Sequence, residues 1–92
     1  MKHHIIIKFN SKADKQVLIP EIKEYFDNAY SIEGVKKVEV FTSSMNLRNR
    51  FDMMIKIDLT KQALKNFEES KFYQTWNEKY SAYISKKTIF DY

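Results

Sequence analysis

The sequence has two adjacent histidines, His3 and His4, and histidine is the residue type that most often serves as an acid or base near neutral pH. They stand in the run Lys-His-His-Ile-Ile-Ile-Lys-Phe, where three consecutive isoleucines favour an extended strand. Successive side chains of a strand point to opposite faces, so His3 and His4 cannot bind one metal ion together. Because the sequence has no cysteine and no other histidine, we expect no metal site and no cofactor.

His3 has two interpretations that the sequence leaves open. In the first, it is a pocket acid, base or hydrogen-bond donor; in the second, which is the more common case, it is a structural histidine near a strand start. His4 lies on the opposite face of the same strand, and only His3 or His4 could serve as the axial ligand that a haem would need.

Aromatic side chains are more numerous than the core of a small domain requires, with seven Phe, six Tyr and one Trp in 92 residues. The excess predicts an aromatic-lined cavity, an interface, or both. We expect a pocket for a small apolar ligand to be lined by His3, Tyr25, Met53, Phe67, Tyr73 and Trp76. The alternative, which helical spacing favours, is that these aromatic residues belong to the core or to an interface.

Hydrophobic periodicity predicts the elements that would position these residues. The predicted strands cover residues 2–9, 35–41, 51–59 and 87–92. A helix is predicted over residues 15–30, capped by Asp14 or Ser11, with a first turn that Pro20 complicates. Gly34 predicts a turn before the second strand. A further helix capped by Asp58 or Thr60 is expected to break near Ser70, and the aromatic segment after the break ends near Tyr83.

The order strand, helix, strand, strand, helix, strand predicts an α+β, ferredoxin-like βαββαβ fold. In that fold both helices cover one face of an antiparallel sheet, and the first strand lies in its interior. We expect one domain over residues 1–92. The uncovered face would expose Ile6 and Met54, so we expect a second copy of the chain to cover it.

The charges are spread along the chain, with 16 Lys and Arg against 12 Asp and Glu. No predicted helix carries a one-sided basic stripe, so we expect no nucleic-acid binding. No apolar run approaches the roughly 20 residues that span a bilayer, and the start has no apolar signal region. We therefore expect a cytoplasmic protein without a membrane partner.

Four short segments resemble the stress-responsive A/B barrel (Dabb) family of dimeric α/β barrels. The matching segments are Lys2-His3-x-Ile5-x-Ile7-Lys8-Phe9, Ile32-Glu33-Gly34-Val35, Phe51-Asp52 and Phe90-Asp91-Tyr92. The resemblance spans nearly the whole chain. It implies a homodimer in which the sheets of two copies close into one barrel.

One enzymatic branch of that family, the olivetolic acid cyclases, uses a Tyr–His pair to close a linear polyketide by an aldol step. By the resemblance, its pocket residues fall on His3, Tyr25 and Met53, and its catalytic Tyr and His fall on Phe67 and Tyr73. Phe67 has no hydroxyl group, and tyrosine is a poor base at its ordinary pKa of about 10. The cyclase mechanism is therefore not expected here.

These observations predict a non-enzymatic Dabb-type homodimer that binds a small apolar or aromatic ligand between helices and sheet. The alternative is a small-molecule enzyme of the dimeric α/β barrel superfamily, similar to a polyketide cyclase, an isomerase or a haem oxygenase. His3 and Tyr25 would have to carry such an activity. A structural or partner-binding module without a ligand is the third possibility.

Overall fold

The computed structural model describes residues 1–92 as one antiparallel sheet of four strands with helices packed on one face. In chain order the elements are β1 (Lys2–Phe9), α1 (Lys15–Phe26), β2 (Val35–Thr42), β3 (Met53–Leu59), α2 (Lys61–Glu69), α3 (Lys71–Tyr80) and β4 (Ile84–Asp91). Short 3-10 helices at Asp27–Ser31 and Ser81–Tyr83 precede β2 and β4. The predicted α+β, ferredoxin-like fold is confirmed.

The strand order β2-β3-β1-β4 places β1 in the interior of the sheet, as its apolar sequence predicted. Ile5 lies opposite Ile55 of β3 on one side and Ile89 of β4 on the other. This register turns alternate residues of β1 and β3 towards the helices. They form a core with apolar side chains from the three helices. The members from the sheet are Ile5, Ile7, Phe9, Met53, Ile55, Ile57 and Leu59.

Gly34 makes the predicted turn before β2, with a φ of 91° that residues with a side chain rarely adopt. The turn also packs against the first turn of α2. A Cβ atom at this position would collide with the Cβ of Ala63. Glycine is therefore required here both by its backbone conformation and by the close approach of the helix.

The first helix is shorter than predicted and has a different ending. It begins at Lys15, where the Asp14 side chain caps it, and it continues through Pro20. The α-helix ends at Phe26 because polar side chains then bond to nearby carbonyl groups and favour a 3-10 turn; Ser31 Oγ, for example, donates to the carbonyl of Asn28. The longest helix has 12 residues, and no helix has the length and apolar character needed to cross a membrane.

The last strand begins earlier than predicted, at Ile84 instead of residue 87. Ile84 pairs with Phe9, and the Ser85 hydroxyl donates to the carbonyl groups of Lys8 and Phe9. Because of this pairing with β1, β4 begins earlier in the chain than its own residues predict. Tyr83, which was predicted on a helix, lies in the 3-10 turn just before it. The strand predicted from residue 51 begins at Met53.

The sheet face opposite the helices has no covering element, and we call it the open face. Two neighbouring rows of paired residues cross the four strands on this face. In the order β2, β3, β1 and β4, the first row is Phe41, Met54, Ile6 and Thr88, and the second is Glu39, Lys56, His4 and Phe90. Phe41, Phe90 and Tyr92 are exposed, with 59% of the Phe90 surface accessible to solvent. The predicted exposure of an apolar sheet face is therefore present, and its exposed aromatic residues are Phe41 of β2, Phe90 of β4 and Tyr92 directly after β4.

Candidate functional site

His3 lies near the start of β1 and points towards the helices, where only 1% of its surface is exposed. Its Nδ1 atom is 2.5 Å from Oδ1 of Asp91, which stands opposite His3 in the neighbouring strand β4. The ring edge of Phe67 from α2 packs on the imidazole, with ring centroids 5.7 Å apart and planes at 69°. The sheet register and α2 together position this histidine.

The pairing with Asp91 determines what the rest of the His3 ring can do. An ionised carboxylate only accepts hydrogen bonds, so Nδ1 must carry the proton and donate it to Asp91. The second ring nitrogen, Nε2, is buried and has no hydrogen-bond partner, unlike every other buried side-chain nitrogen or oxygen. An unpaired buried polar atom costs about 1–3 kcal/mol. This unpaired atom beside a His–Asp pair makes His3 the candidate functional residue of the fold.

The predicted aromatic lining residues are brought together in one continuous cluster beside His3. Phe67 is 5.3 Å from Tyr73 and 6.1 Å from Phe72, measured between ring centroids. Phe72 in turn stacks on Tyr25 at 4.6 Å, and Tyr25 lies 6.4 Å from Trp76.

Met53 is the predicted lining residue that stands apart from this cluster. It pairs with Ile7 near one end of the sheet, whereas His3 pairs with Ile57 near the other.

The Tyr25 hydroxyl serves as a hydrogen-bond donor rather than as a base. Its hydroxyl donates to the carbonyl oxygen of Phe72 at 2.5 Å, which links α1 to the start of α3. Burial raises the pKa of Tyr25 above its ordinary value, so the phenol keeps its proton at neutral pH. Of the two residues expected to carry an enzymatic activity, only His3 has a side-chain polar atom without a hydrogen-bond partner.

The space between helices and sheet is filled by side chains. His3, Met53, Phe67 and Trp76 are all buried, and Tyr25 and Tyr73 are half-buried against the core. Three of the five main surface pockets each touch one of Tyr25, Met53 and Trp76, and none of the five reaches His3, Phe67 or Tyr73. A ligand at His3 would therefore need the aromatic side chains above it to move.

His4 points to the open face, as strand alternation predicted. Its Nδ1 atom lies 3.0 Å from the carbonyl oxygen of Phe90, and its ring stacks on Tyr92 at 5.2 Å with planes at 15°. These two aromatic residues keep His4 buried on a face that has no other cover. No group of three or more His, Asp or Glu side chains is placed to hold a metal ion.

Asp52 belongs to one of the segments that resemble the Dabb family, but the sequence predicted no role for it: it is a buried carboxylate that joins three segments of the chain. Its Oδ2 accepts the backbone N–H of Phe9, and its Oδ1 accepts the ammonium group of Lys15, both at 2.8 Å. Burial acts to raise the pKa of Asp52, but the bonds from Lys15 and Phe9 outweigh it and lower the pKa below its ordinary value. No local signal marks this residue, since its partners are 37 and 43 positions away.

We expect Asp52→Asn to lower the free energy of unfolding by about 1–3 kcal/mol at pH 7, because the amide has one acceptor oxygen for the two donors, Phe9 N–H and Lys15, and the charge attraction to Lys15 is lost. A lowered folded-state pKa stabilises the fold above the unfolded pKa of about 3.9, and this stabilisation is lost as pH falls through the folded value. The difference between the two proteins should therefore shrink below about pH 4. Urea unfolding from pH 3 to 7 measures it, with the exposed Glu68→Gln as control. A difference that stays constant with pH would contradict the ionised bond.

Comparisons with known proteins agree on the fold. No family model matches the chain, and no curated protein matches it in sequence. A dimeric protein of unknown function with a ferredoxin-like fold from Bacteroides fragilis is similar in structure, with a TM-score of 0.83 and 17% identity over 99% of this chain and 92% of that one. A Dabb family protein from Mesorhizobium loti gives a TM-score of 0.70 and 14% identity over 99% and 92%. The hydroxynitrile lyase from Passiflora edulis gives 0.80 and 12% over 99% and 89%. At such identities the likeness shows the fold alone.

Proposed function

We propose that this chain works as a Dabb-type homodimer in which the open faces of two copies pack against each other. The observation that carries the proposal is the exposed aromatic and aliphatic surface of the open face. A monomer would leave Phe41, Phe90 and Tyr92 in water beside Ile6 and Met54. Contiguous exposed apolar surface of this kind is typical of an interface.

A second copy of the same chain fits this face better than an unrelated partner. The open face carries both signs of charge, with Glu39 between Lys37 and Lys56 at 3.8 and 3.9 Å. A two-fold axis places such a face against itself, so that basic and acidic groups can pair across it. The structurally similar protein from Bacteroides fragilis is described as dimeric, which supports the same assembly here.

Sedimentation equilibrium of the wild-type protein tests the assembly directly. We expect a mass of twice 11.1 kDa at micromolar concentration. Thermal unfolding should also shift to higher temperature as the protein concentration rises, because association stabilises only the folded chain. A single 11.1 kDa species throughout the concentration range would overturn the proposal.

Within each copy, we propose that His3 is the anchor for a small apolar ligand with one hydroxyl group. Asp91 holds Nδ1, which leaves the lone pair of Nε2 to accept the ligand's hydrogen bond. The surrounding rings of Phe67 and Tyr73 supply apolar contact. The ligand would gain the space it needs by displacing these two rings, since none of the five main surface pockets reaches His3.

His3→Leu tests this anchor. We expect native mass spectrometry of the wild-type protein purified from cells to show an added small-molecule mass, and the variant to lack it. The variant should stay within about 1 kcal/mol of wild-type stability, because Leu removes the unpaired Nε2 and Asp91 is partly exposed to water. His4→Leu is the matched control and should keep the added mass. A wild-type protein without added mass would contradict the ligand and leave the homodimer standing.

A second candidate function is that of a small-molecule lyase, and the His3–Asp91 pair favours it. A carboxylate-held imidazole can take a hydroxyl proton. In a hydroxynitrile, loss of that proton forms the carbonyl group as the carbon–carbon bond breaks, and cyanide leaves with the bonding electrons. The structurally similar hydroxynitrile lyase makes this reaction class worth testing. Release of benzaldehyde from mandelonitrile faster than in buffer, and lost in His3→Gln, would support the lyase. A rate equal to buffer would exclude it for this substrate.

A further inference from the structure

The loop that joins β2 to β3 projects from one end of the sheet. Every residue from Phe41 to Phe51 is exposed to solvent. A backbone hydrogen bond from the N–H of Ser43 to the carbonyl of Asp52 closes the base of the loop. Its tip is a turn in which the N–H of Arg50 donates to the carbonyl of Leu47. The tip therefore faces solvent and not the core.

Two lysines from other segments hold the loop in place. Lys8, at the end of β1, donates its ammonium group to the carbonyl of Arg50 at 2.7 Å. Lys15, at the start of α1, donates to the side-chain oxygen of Asn46 at 3.0 Å and to Asp52 at 2.8 Å. A surface that is already held in one arrangement costs little ordering on binding.

The loop presents two aliphatic side chains to solvent. Met45 is 49% exposed and Leu47 is 46% exposed, and neither packs against the core cluster. Phe51 is also exposed at the base of the loop. Exposed apolar side chains that are grouped in this way mark a docking surface for a protein or a membrane.

The end of the sheet that carries this loop also carries the net charge of the chain. Residues 8–15, 43–52 and 84–86 meet there, through the bond from Lys8 to the loop and the pairing of Lys8 with Lys86 in β4. These segments contain six cations and two carboxylates, a formal net charge of +4, which equals the net charge of the whole chain. The other ten lysines are balanced by ten Asp and Glu residues. We call this surface the basic end, and its cations are Lys8, Lys12, Lys15, Arg48, Arg50 and Lys86.

The two carboxylates of the basic end are engaged within the fold. Asp14 accepts a backbone N–H as the cap of α1, and the buried Asp52 binds Lys15. Arg48 and Arg50 are the two arginines of the sequence, and neither forms an ion pair. Guanidinium groups are well suited to phosphate and carboxylate oxygens. The basic end therefore offers free guanidinium groups beside an aliphatic tip.

We propose that the basic end docks this protein on the surface of an anionic membrane. Met45 and Leu47 enter the headgroup layer, and Arg48 and Arg50 pair with the phosphate and carboxylate groups of anionic lipids. The sequence predicts no membrane partner because it has no spanning segment, but contact with one leaflet needs none.

Two features favour a membrane over other anionic partners. A projecting tip can enter a soft leaflet and needs no matching groove in a rigid partner. Residues 43–50 contain no aromatic side chain on which a nucleic-acid base could stack. The proposal does not rest on the homodimer or on the ligand at His3.

Vesicle flotation with the full-length protein tests this contact. We expect binding to phosphatidylcholine vesicles that contain one third phosphatidylserine, and binding about tenfold weaker or less to phosphatidylcholine alone. Each basic residue near an anionic surface contributes roughly fivefold in affinity, so the double variant Arg48→Gln, Arg50→Gln should bind about 25-fold more weakly. The double variant Met45→Ser, Leu47→Ser should bind about tenfold more weakly, because less apolar surface enters the leaflet. Binding should also fall as salt is raised.

The control for charge is the double variant Lys61→Gln, Lys65→Gln, which removes two cations from the exposed surface of α2. The control for apolar surface is Val17→Ser, an exposed aliphatic position on α1 outside the loop. Both should bind as the wild-type protein does, and all four variants should fold, since none of these residues belongs to the core.

Equal binding to the two kinds of vesicle would overturn the proposal, as would unchanged binding in either loop variant. A DNA duplex bound more tightly than the anionic vesicles, with a loss in the arginine variant alone, would assign the basic end to nucleic acid instead. Sedimentation equilibrium of the homodimer contains no lipid, so failure here is distinguishable from failure of the proposed function.

Discussion

Phe90→Glu should convert the proposed homodimer into a monomer and weaken self-association about 100-fold. Phe90 is one of the most exposed apolar side chains and lies on the open face beside His4. In a face-to-face dimer its ring would be buried twice, once in each copy. Removal of a central aromatic residue typically costs 2 kcal/mol or more, and a glutamate adds an unpaired buried charge. Sedimentation equilibrium over a hundredfold concentration range measures the change.

Val17→Glu is a control matched in exposure and in charge. Val17 is 58% exposed, against 59% for Phe90, but it lies on α1 on the other side of the molecule. The control should remain a dimer, because its glutamate stays in water. Both variants should keep the stability of the folded monomer, since neither residue belongs to the core. If Val17→Glu dissociates and Phe90→Glu does not, the helical face must be the interface instead.

The fold could be predicted because its signals are local. Three isoleucines in a row mark the interior strand β1, alternation in residues 35–41 marks the half-exposed strand β2, and Gly34 marks the turn between helix and strand. Each of these depends on the backbone preference of a few neighbouring residues. The errors were at boundaries such as the 3-10 turn after Phe26, where side-chain hydrogen bonds compete with the helix.

The candidate site could be predicted only in part, because its partners are distant in the chain. Strand alternation correctly predicted that the His3 side chain points towards the helices. It could not predict the partner of His3, because Asp91 is 88 positions away in the chain. The pairing depends on the register between β1 and β4, which neither strand specifies alone. Tyr80 lies in the aromatic segment that the sequence predicts between Ser70 and Tyr83, whereas its bond to Glu21 on α1 depends on how the two helices cross.

Trp76→Ala should lower the free energy of unfolding by about 3–5 kcal/mol, the usual cost of removing a buried Trp side chain. Only 1% of Trp76 is exposed, and its ring packs on Phe26 at 4.9 Å and on Tyr80 at 5.1 Å between centroids. A small domain has about 5–15 kcal/mol in total, so this variant could lose most of its stability. Trp76→Phe keeps an aromatic ring and should lose less. Gln74→Ala, exposed on the same helix, is the control.

The measurement is urea unfolding followed by far-UV circular dichroism, because Trp76 is the only tryptophan and its fluorescence is lost in the variant. The result distinguishes the two roles that the sequence allows for Trp76, which are packing in the core and lining a ligand pocket. A loss of several kcal/mol means that Trp76 fills the core, so a ligand at His3 must be accommodated by Phe67 and Tyr73 alone. A loss below about 1 kcal/mol would contradict the core role, because a residue that lines an open pocket has few packed neighbours to lose. The ligand site would then extend from His3 along the whole aromatic cluster to α3.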